Sequence, residues 1–392
     1  MTKKLKVAQV MDSFYPNIDG PTNVVRNYAM HINEAEECQV LVPAAKPSLH
    51  YVDEQPFEVK RCRSYPATKY GYRCGTPRMD RKFNKRVASE KFDIYHAHSP
   101  FIMARYALYR GKKDKVPVVL TMHTKFKDDF ARIFRGPLKP IGAIAMRYIM
   151  KSFRRADVVW TVNDASVGVL REYGYTGAVD VVRNGTDLRY PEGAEQLIRD
   201  VNERHGLFGQ KNVFIFVGRL VMYKNLELTV RALKLLADRG EDFRMLVVGK
   251  GPDEGKLRAI IEACGLSDRF IFTGPIHDRR TLQGYYLRAD LFLFPSTYDT
   301  SSLVPVEAAC HKLPTLLIRG CCTAERIEDG VNGFLCEENA ESYADRVQAI
   351  IADPALAARV GEEAERTIYR TWDKVAEEVM EKYRAIIESY NK

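Results

Sequence analysis

Short apolar runs alternate with amphipathic helical stretches along most of this chain, and the alternation starts twice. In the first half, Lys6–Met11 reads as a buried strand. Pro21–Ile32 follows as a helix, with Gly20 in the turn and Pro21 near the first helical position. Cys38–Val42, Ile94–His96, Val116–Thr121 and Val158–Thr161 are further strand candidates. The pattern restarts with the strand Val213–Val217 and the helix Leu226–Arg239. Met245–Val248, Phe270–Phe272, Leu291–Phe294 and Thr315–Ile318 continue it as strands, with a helix over Gly255–Cys264. Strand–helix alternation of this length predicts an α/β chain with two doubly wound parallel-sheet domains. The polar stretch Thr186–Gln210 is the expected boundary. Pro354–Tyr369 and Val375–Tyr390 end the chain as helices.

Composition narrows the function. The 392 residues suit two domains, and 46% apolar against 28% charged residues excludes a disordered or fibrous chain. No run of 18 uncharged apolar residues exists, so no spanning helix is expected. The start MTKKLKVAQVMDSFY reaches Asp12 after a short apolar stretch and reads as no signal peptide. Eight scattered cysteines without a CxxC pair argue against a zinc cage or disulfide framework and suggest a reducing cytoplasm. In that setting the Asn184-Gly185-Thr186 sequon is accidental.

Open parallel sheets bind ligands beyond the carboxyl ends of their strands, so residues just after strands carry the most information. Arg219 and Lys224 follow Val213–Val217 and precede a helix. Two cations there suit a diphosphate; the bland alternative is a pair of solvated loop cations. After Leu291–Phe294 comes Pro295-Ser296-Thr297-Tyr298-Asp299-Thr300-Ser301-Ser302-Leu303-Val304-Pro305-Val306-Glu307. Amides at Ser301–Val304 can hold hydroxyls or phosphate oxygens, and Asp299 and Glu307 can accept sugar hydroxyl hydrogens; the alternative is an ordinary capped helix. His123 follows Val116–Thr121. The alternating His96 and His98 could ligate a metal, but packing and loop hydrogen bonding are favoured. Gly249-Lys250-Gly251-Pro252 resembles a dinucleotide fingerprint only superficially.

In order along nearly the whole chain, these motifs resemble the GT-B glycosyltransferases, specifically the retaining family 4 group. The carrying elements are Asp19-Gly20, His96–Pro100, Met122–Thr124, Arg183–Asp187, Val217–Lys224, Val247–Pro252, Phe272–Gly274, Asp299…Glu307 and Asp329–Leu335. The resemblance implies two Rossmann-like domains facing across a cleft: an acceptor-binding domain over 1–190 and a nucleotide-sugar-binding domain over 191–371. A final helix over 372–392 would cross back to the first. It implies that Arg219 and Lys224 clamp the donor diphosphate without a metal or cofactor. Glu307 would bond the ribose, and Asp299 the donor sugar. The amides of Ser301, Ser302, Leu303 and Val304 would meet sugar and phosphates. His123 would lie over the sugar near the reacting carbon, Gly20 would admit the diphosphate, and Ile276 would meet the base. Asp299 stands where the family usually has Glu, Ser301-Ser302 replaces the commoner Phe-Gly type of pair, Asp19 replaces a glycine, and Cys321-Cys322 occupies a position usually held by small glycine-rich residues. These departures leave the donor sugar open, with UDP-glucose as default and GDP-mannose and UDP-galactose as alternatives.

Charge is uneven. Residues 1–190 hold 33 Lys/Arg against 19 Asp/Glu, a net +14, while 191–392 are −5. Tyr65, Tyr70, Tyr72, Phe126, Phe130, Phe134, Ile141, Ile144 and Tyr148 lie among the cations. One reading is attachment to an anionic membrane surface, with a cytoplasmic protein peripheral on its inner face and a lipid or glycan acceptor. A second is a phosphorylated soluble acceptor. The third is a solvated basic surface with Ile141, Ile144 and Tyr148 in the core. A non-enzymatic basic binding protein on the same scaffold is the alternative class. Nucleic acid is not expected as a partner, because no recognition motif for it is present.

Overall fold

The computed structural model describes residues 4–17, 19–66, 73–133, 136 and 139–392. It contains two compact units: Met1–Asn184 with Trp372–Lys392, and Gly185–Thr371. Tyr70, Tyr72 and Phe134 lie outside the described residues.

The first unit runs β1 (Lys6–Val10), α1 (Gly20–Ala35), β2 (Glu37–Pro43), β3 (Glu58–Cys62), β4 (Ser64–Pro66), β5 (Arg73–Gly75), α2 (Arg81–Glu90), β6 (Ile94–Ala97), α3 (Ile102–Asp114), β7 (Val118–Met122), α4 (Phe126–Ile133), α5 (Lys139–Phe153), β8 (Val158–Thr161), α6 (Asp164–Glu172) and β9 (Asp180–Val181). The second runs α7 (Ala194–His205), β10 (Val213–Val217), α8 (Leu226–Asp238), β11 (Arg244–Val248), α9 (Glu254–Ala263), β12 (Phe270–Gly274), α10 (Arg279–Arg288), β13 (Leu291–Phe294), α11 (Val304–Cys310), β14 (Thr315–Ile318), β15 (Phe334–Cys336), α12 (Ala340–Ala352) and α13 (Pro354–Thr367). α14 (Trp372–Tyr390) returns to the first unit.

Among the described residues, the main sheets are parallel throughout, with orders β3-β2-β1-β6-β7-β8-β9 and β12-β11-β10-β13-β14-β15. Each order reverses once, between β1 and β6 and between β10 and β13. Such switch points splay the following loops apart and leave a crevice at the strands' carboxyl ends. The strands read as continuous apolar runs because both faces are covered. Phe214 and Phe216 enter one core of the second unit, and Val213, Ile215 and Val217 enter the other.

The structure adds to or corrects the sequence reading at three places. Thr186–Gln210, expected as the boundary, lies within the second unit, which starts at Gly185, and holds α7, whose Val201 packs into the same core as Leu282 and Tyr285. Arg288 pins that segment through Asn202 Oδ1 and the carbonyls of Leu207 and Gln210. Apolar patterning does not mark strand β3, because its sequence, EVKRC, is charged. Its Lys60 is 1% exposed and held by Gln39, Glu58 and Glu90, and Arg61 is held bidentately by Asp53. Those two cations therefore do not belong to a free basic surface. Finally, Ile141 and Ile144 are not core residues; they are 47% and 64% exposed on α5. Tyr148 is half-buried beneath the Arg105 guanidinium, 3.5 Å from its ring centre.

Candidate active site

In the second unit, the switch point brings together the loops after β10 and β13. The first loop is shaped by glycine. A Cβ at Gly249 would lie 2.0 Å from the Gly218 carbonyl oxygen, and one at Gly251 would lie 2.0 Å from that of Leu220. Without side chains at those positions, the loops after β10 and β11 run side by side, joined by Gly218 N–Val248 O (3.0 Å) and Leu220 N–Lys250 O (3.1 Å). The Gly249–Gly251 pair is thus a packing device, and it fixes the course of the chain around Arg219.

Lys224 Nζ donates to both carboxylate oxygens of Asp299, at 3.1 and 2.9 Å, and the adjacent rings of Tyr223 and Tyr298 stand 4.8 Å apart. Lys224 is thereby held over the Phe294 ring, 5.6 Å from its centre. Arg219 is exposed and makes no ion pair among the described residues. The structure therefore brings Lys224 and Asp299 together as an ion pair, and places Arg219 on the same loop after β10, five residues before Lys224. Ser301, Ser302 and Leu303 lead into α11, which begins at Val304 without a side-chain cap. Its first amides point positive charge outward from the helix start.

Glu307, on the first turn of α11, is 6% exposed. Its Oε2 accepts from the Tyr286 hydroxyl at 2.8 Å, and its Oε1 pairs with Arg279 at 3.2 Å. Arg279 also pairs with Asp187. Burial, followed by the Glu307 charge, pushes the Tyr286 hydroxyl well above its usual range, so it stays a donor. His311 Nδ1 donates to the Glu307 carbonyl at 2.7 Å, and burial pushes His311 down to about 4. Sequence pattern does not single out Tyr286 and Arg279, because they lie on α10 without a strand-end position to mark them. Ile276 lies in the loop between β12 and α10 and packs against the core.

In the first unit, the strand ends beside the switch point carry Asp12, His98, Ser99 and His123. Asp12 accepts from Ser99 Oγ (2.7 Å) and Met103 N (3.0 Å), and burial raises it to about 6. His123 Nε2 lies 3.0 Å from His98 Nδ1, and His98 Nε2 lies 2.6 Å from Gln9 Oε1. Gln9 Nε2 is 3.2 Å from the Tyr383 hydroxyl, which also meets His96 Nδ1; His96 Nε2 is 2.6 Å from Thr121 Oγ1. Burial depresses His96 and His98 well below the usual histidine range and His123 to about 4, so all three rings are neutral near pH 7. Gly20 is the first residue of α1, behind an Asp19 cap that accepts from Thr22 N at 2.8 Å; a Cβ at Gly20 would meet nothing within 4 Å.

Two doubly wound parallel-sheet units, each with a switch-point crevice, are the architecture of the GT-B glycosyltransferases. The family comparisons agree. Residues 198–367 match the glycosyl transferases group 1 model and residues 18–190 the glycosyltransferase family 4 model, and the chain belongs to the group 1 glycosyltransferases. It is 28% identical to the D-inositol 3-phosphate glycosyltransferase of Nocardiopsis dassonvillei, over 76% of this chain and 71% of that protein. It is 23% identical to the GDP-mannose-dependent alpha-mannosyltransferase of Corynebacterium glutamicum, over 98% of this chain and 90% of that protein. HepE of Anabaena, solved with UDP, superposes with a TM-score of 0.78 at 18% identity, covering 97% of this chain and all of that one; it has also been solved with UDP-glucose.

Proposed function

We propose that this glycosyltransferase moves a hexose from a nucleotide sugar, UDP-glucose in the first instance, with retention of anomeric configuration. The observation that carries the reading is two cations on the loop after β10: Arg219, exposed and in no ion pair among the described residues, and Lys224, held in place by Asp299. A departing nucleoside diphosphate gains negative charge, and fixed cations stabilise it more in the transition state than in the ground state. The acceptor oxygen approaches on the face the diphosphate leaves, and the diphosphate takes its proton. The amides of Ser301, Ser302, Leu303 and Val304 bind sugar and phosphate oxygens. Asp299 bonds sugar hydroxyls, Glu307 the ribose, and the backbone at Ile276 meets the base. Gly20 leaves room for the diphosphate, and His123 takes a sugar hydroxyl. The two cations supply the charge that a metal would otherwise provide, so no metal or cofactor enters the reading.

UDP-glucose is favoured by the HepE complexes, and GDP-mannose by the corynebacterial relative. The acceptor is read as anionic or carried on an anionic surface, placing the protein peripherally at a membrane's inner face. Arg78, Arg105, Lys112 and Arg155 surround one groove of the first unit, and none is paired with a carboxylate among the described residues. The exposed Ile141 and Ile144 stand on α5 with Lys139 and Arg147. Among the described residues, no helix is long and apolar enough to cross a membrane.

The test is a hydrolysis and transfer screen over UDP-, GDP- and ADP-sugars. Arg219→Ala and Lys224→Ala should each lower turnover about 100-fold with the donor so identified. Wild-type turnover in both variants would remove the clamp.

A further inference from the structure

Within the first unit, the last turn of α1 and the first turn of α14 bring three ligating side chains to one point. His31 and Glu34 are three residues apart on α1, so they project from one face of that helix. Asp373 lies in the first turn of α14. His31 Nδ1 is 2.9 Å from Asp373 Oδ1 and 3.6 Å from Glu34 Oε1. The three ligating atoms all lie within 4.8 Å of one another. These contacts are not ordinary hydrogen bonds. Both ring nitrogens of His31 are buried from water, and neither has an aligned hydrogen-bond partner. Two carboxylate oxygens set around one ring nitrogen, off its hydrogen-bonding axis, is the arrangement of ligands that share an ion. Metal–ligand bonds of about 2.0–2.2 Å at tetrahedral angles put the ligand atoms about 3.4 Å apart, and the two observed separations bracket that value. The helices that carry the trio are fixed independently of it. Tyr28 of α1 packs on Trp372 of α14 with ring centres 5.9 Å apart, and Glu36, just past α1, pairs with Arg384.

We propose that His31, Glu34 and Asp373 form a binding site for a divalent transition-metal ion of the zinc class, with water as the fourth ligand. One imidazole nitrogen and two carboxylate oxygens suit such an ion better than Ca2+ or Mg2+, which take oxygen ligands. The Glu34 and Asp373 side chains are 66% and 38% exposed, so an ion and its water can enter from solvent. The site stands apart from the reading under Proposed function, and its effect is on stability. It ties the start of α14, where the chain re-enters the first unit at Trp372, to α1, and an ion that binds only the folded chain adds its binding free energy to folding.

Co2+ is the probe, because it substitutes in zinc sites and its visible spectrum reports its ligands. The full chain, freed of any histidine tag and of bound metal by dialysis against EDTA and then buffer, is titrated with Co2+. The expected result is one Co2+ per chain, with visible bands of nitrogen–oxygen ligation and no near-ultraviolet charge-transfer band from a thiolate. Zn2+ should abolish those bands by displacement. Glu34→Gln and His31→Gln should each weaken Co2+ affinity about 10-fold or more. Glu34 is exposed and glutamine keeps its shape, so Glu34→Gln decides the matter should His31→Gln not fold. Wild-type Co2+ affinity in either folded variant overturns the proposal, as does binding only with thiolate bands, the signature of a site such as the exposed Cys74. Absence of stoichiometric binding overturns it too, and leaves His31 as an ion-pair partner of two carboxylates.

Discussion

Tyr286→Phe removes one hydroxyl and tests how Glu307 is held. Tyr286 is completely buried, and its only change is loss of the 2.8 Å bond to Glu307 Oε2. A hydrogen bond to a charged group contributes about 1.5–3 kcal/mol net. For a domain of this size, about 2 kcal/mol lowers Tm by roughly 4–8 °C. The neighbouring Tyr285 supplies the control. It is equally buried, but its hydroxyl meets the neutral His205 Nε2 at 2.7 Å. A neutral bond contributes about 1 kcal/mol, so Tyr285→Phe should cost roughly 2–4 °C. The assay is thermal unfolding by circular dichroism, repeated with saturating UDP. With UDP present, Tyr286→Phe should regain less stability than wild type, because Glu307 is left with Arg279 alone. A Tyr286→Phe loss no larger than that of Tyr285→Phe would refute the argument that this hydroxyl supports a charge.

Two further outcomes follow from the same structure. Because His96, His98 and His123 are held below the unfolded histidine value of about 6.5, the unfolded chain binds more protons, and stability is lost as pH falls below that value. His123 alone should cost about 2 kcal/mol at pH 5, and the raised Asp12 opposes it by about 1.4 kcal/mol; calorimetry should give a lower Tm at pH 5 than at pH 7, and a higher one would contradict the burial argument. Gly251→Ala places a Cβ 2.0 Å from a backbone oxygen and should cost about 3 kcal/mol or more in chemical denaturation, whereas a loss under 1 kcal/mol would show that the paired loops can separate.

The fold was legible because its strands are covered on both faces. Val158–Thr161, Val213–Val217, Leu291–Phe294 and Thr315–Ile318 match the expected bounds. β3 was not legible, because its Lys60 is buried by ion pairing with residues on β3 itself and on α2, a relation that strand patterning does not carry. The same holds at the site. Arg219, Lys224, Asp299 and Glu307 stand at strand exits or on a helix start, where position alone singles them out. Gln9 looked like one polar residue inside a strand, and Tyr383 like one apolar position in a terminal helix. Their place in one hydrogen-bonded chain appears only when 374 residues of separation close to a 3.2 Å contact. One of the three readings of the basic half puts Ile141 and Ile144 in the core, but α5 turns them outward.

The most direct test of the proposed chemistry is proton NMR of the first sugar product formed from UDP-glucose, recorded before mutarotation, with wild-type protein and with Lys224→Ala. The account predicts an α-configured product from the wild type and about 100-fold slower formation from the variant. A β-configured product, or equal rates in the two proteins, would contradict it.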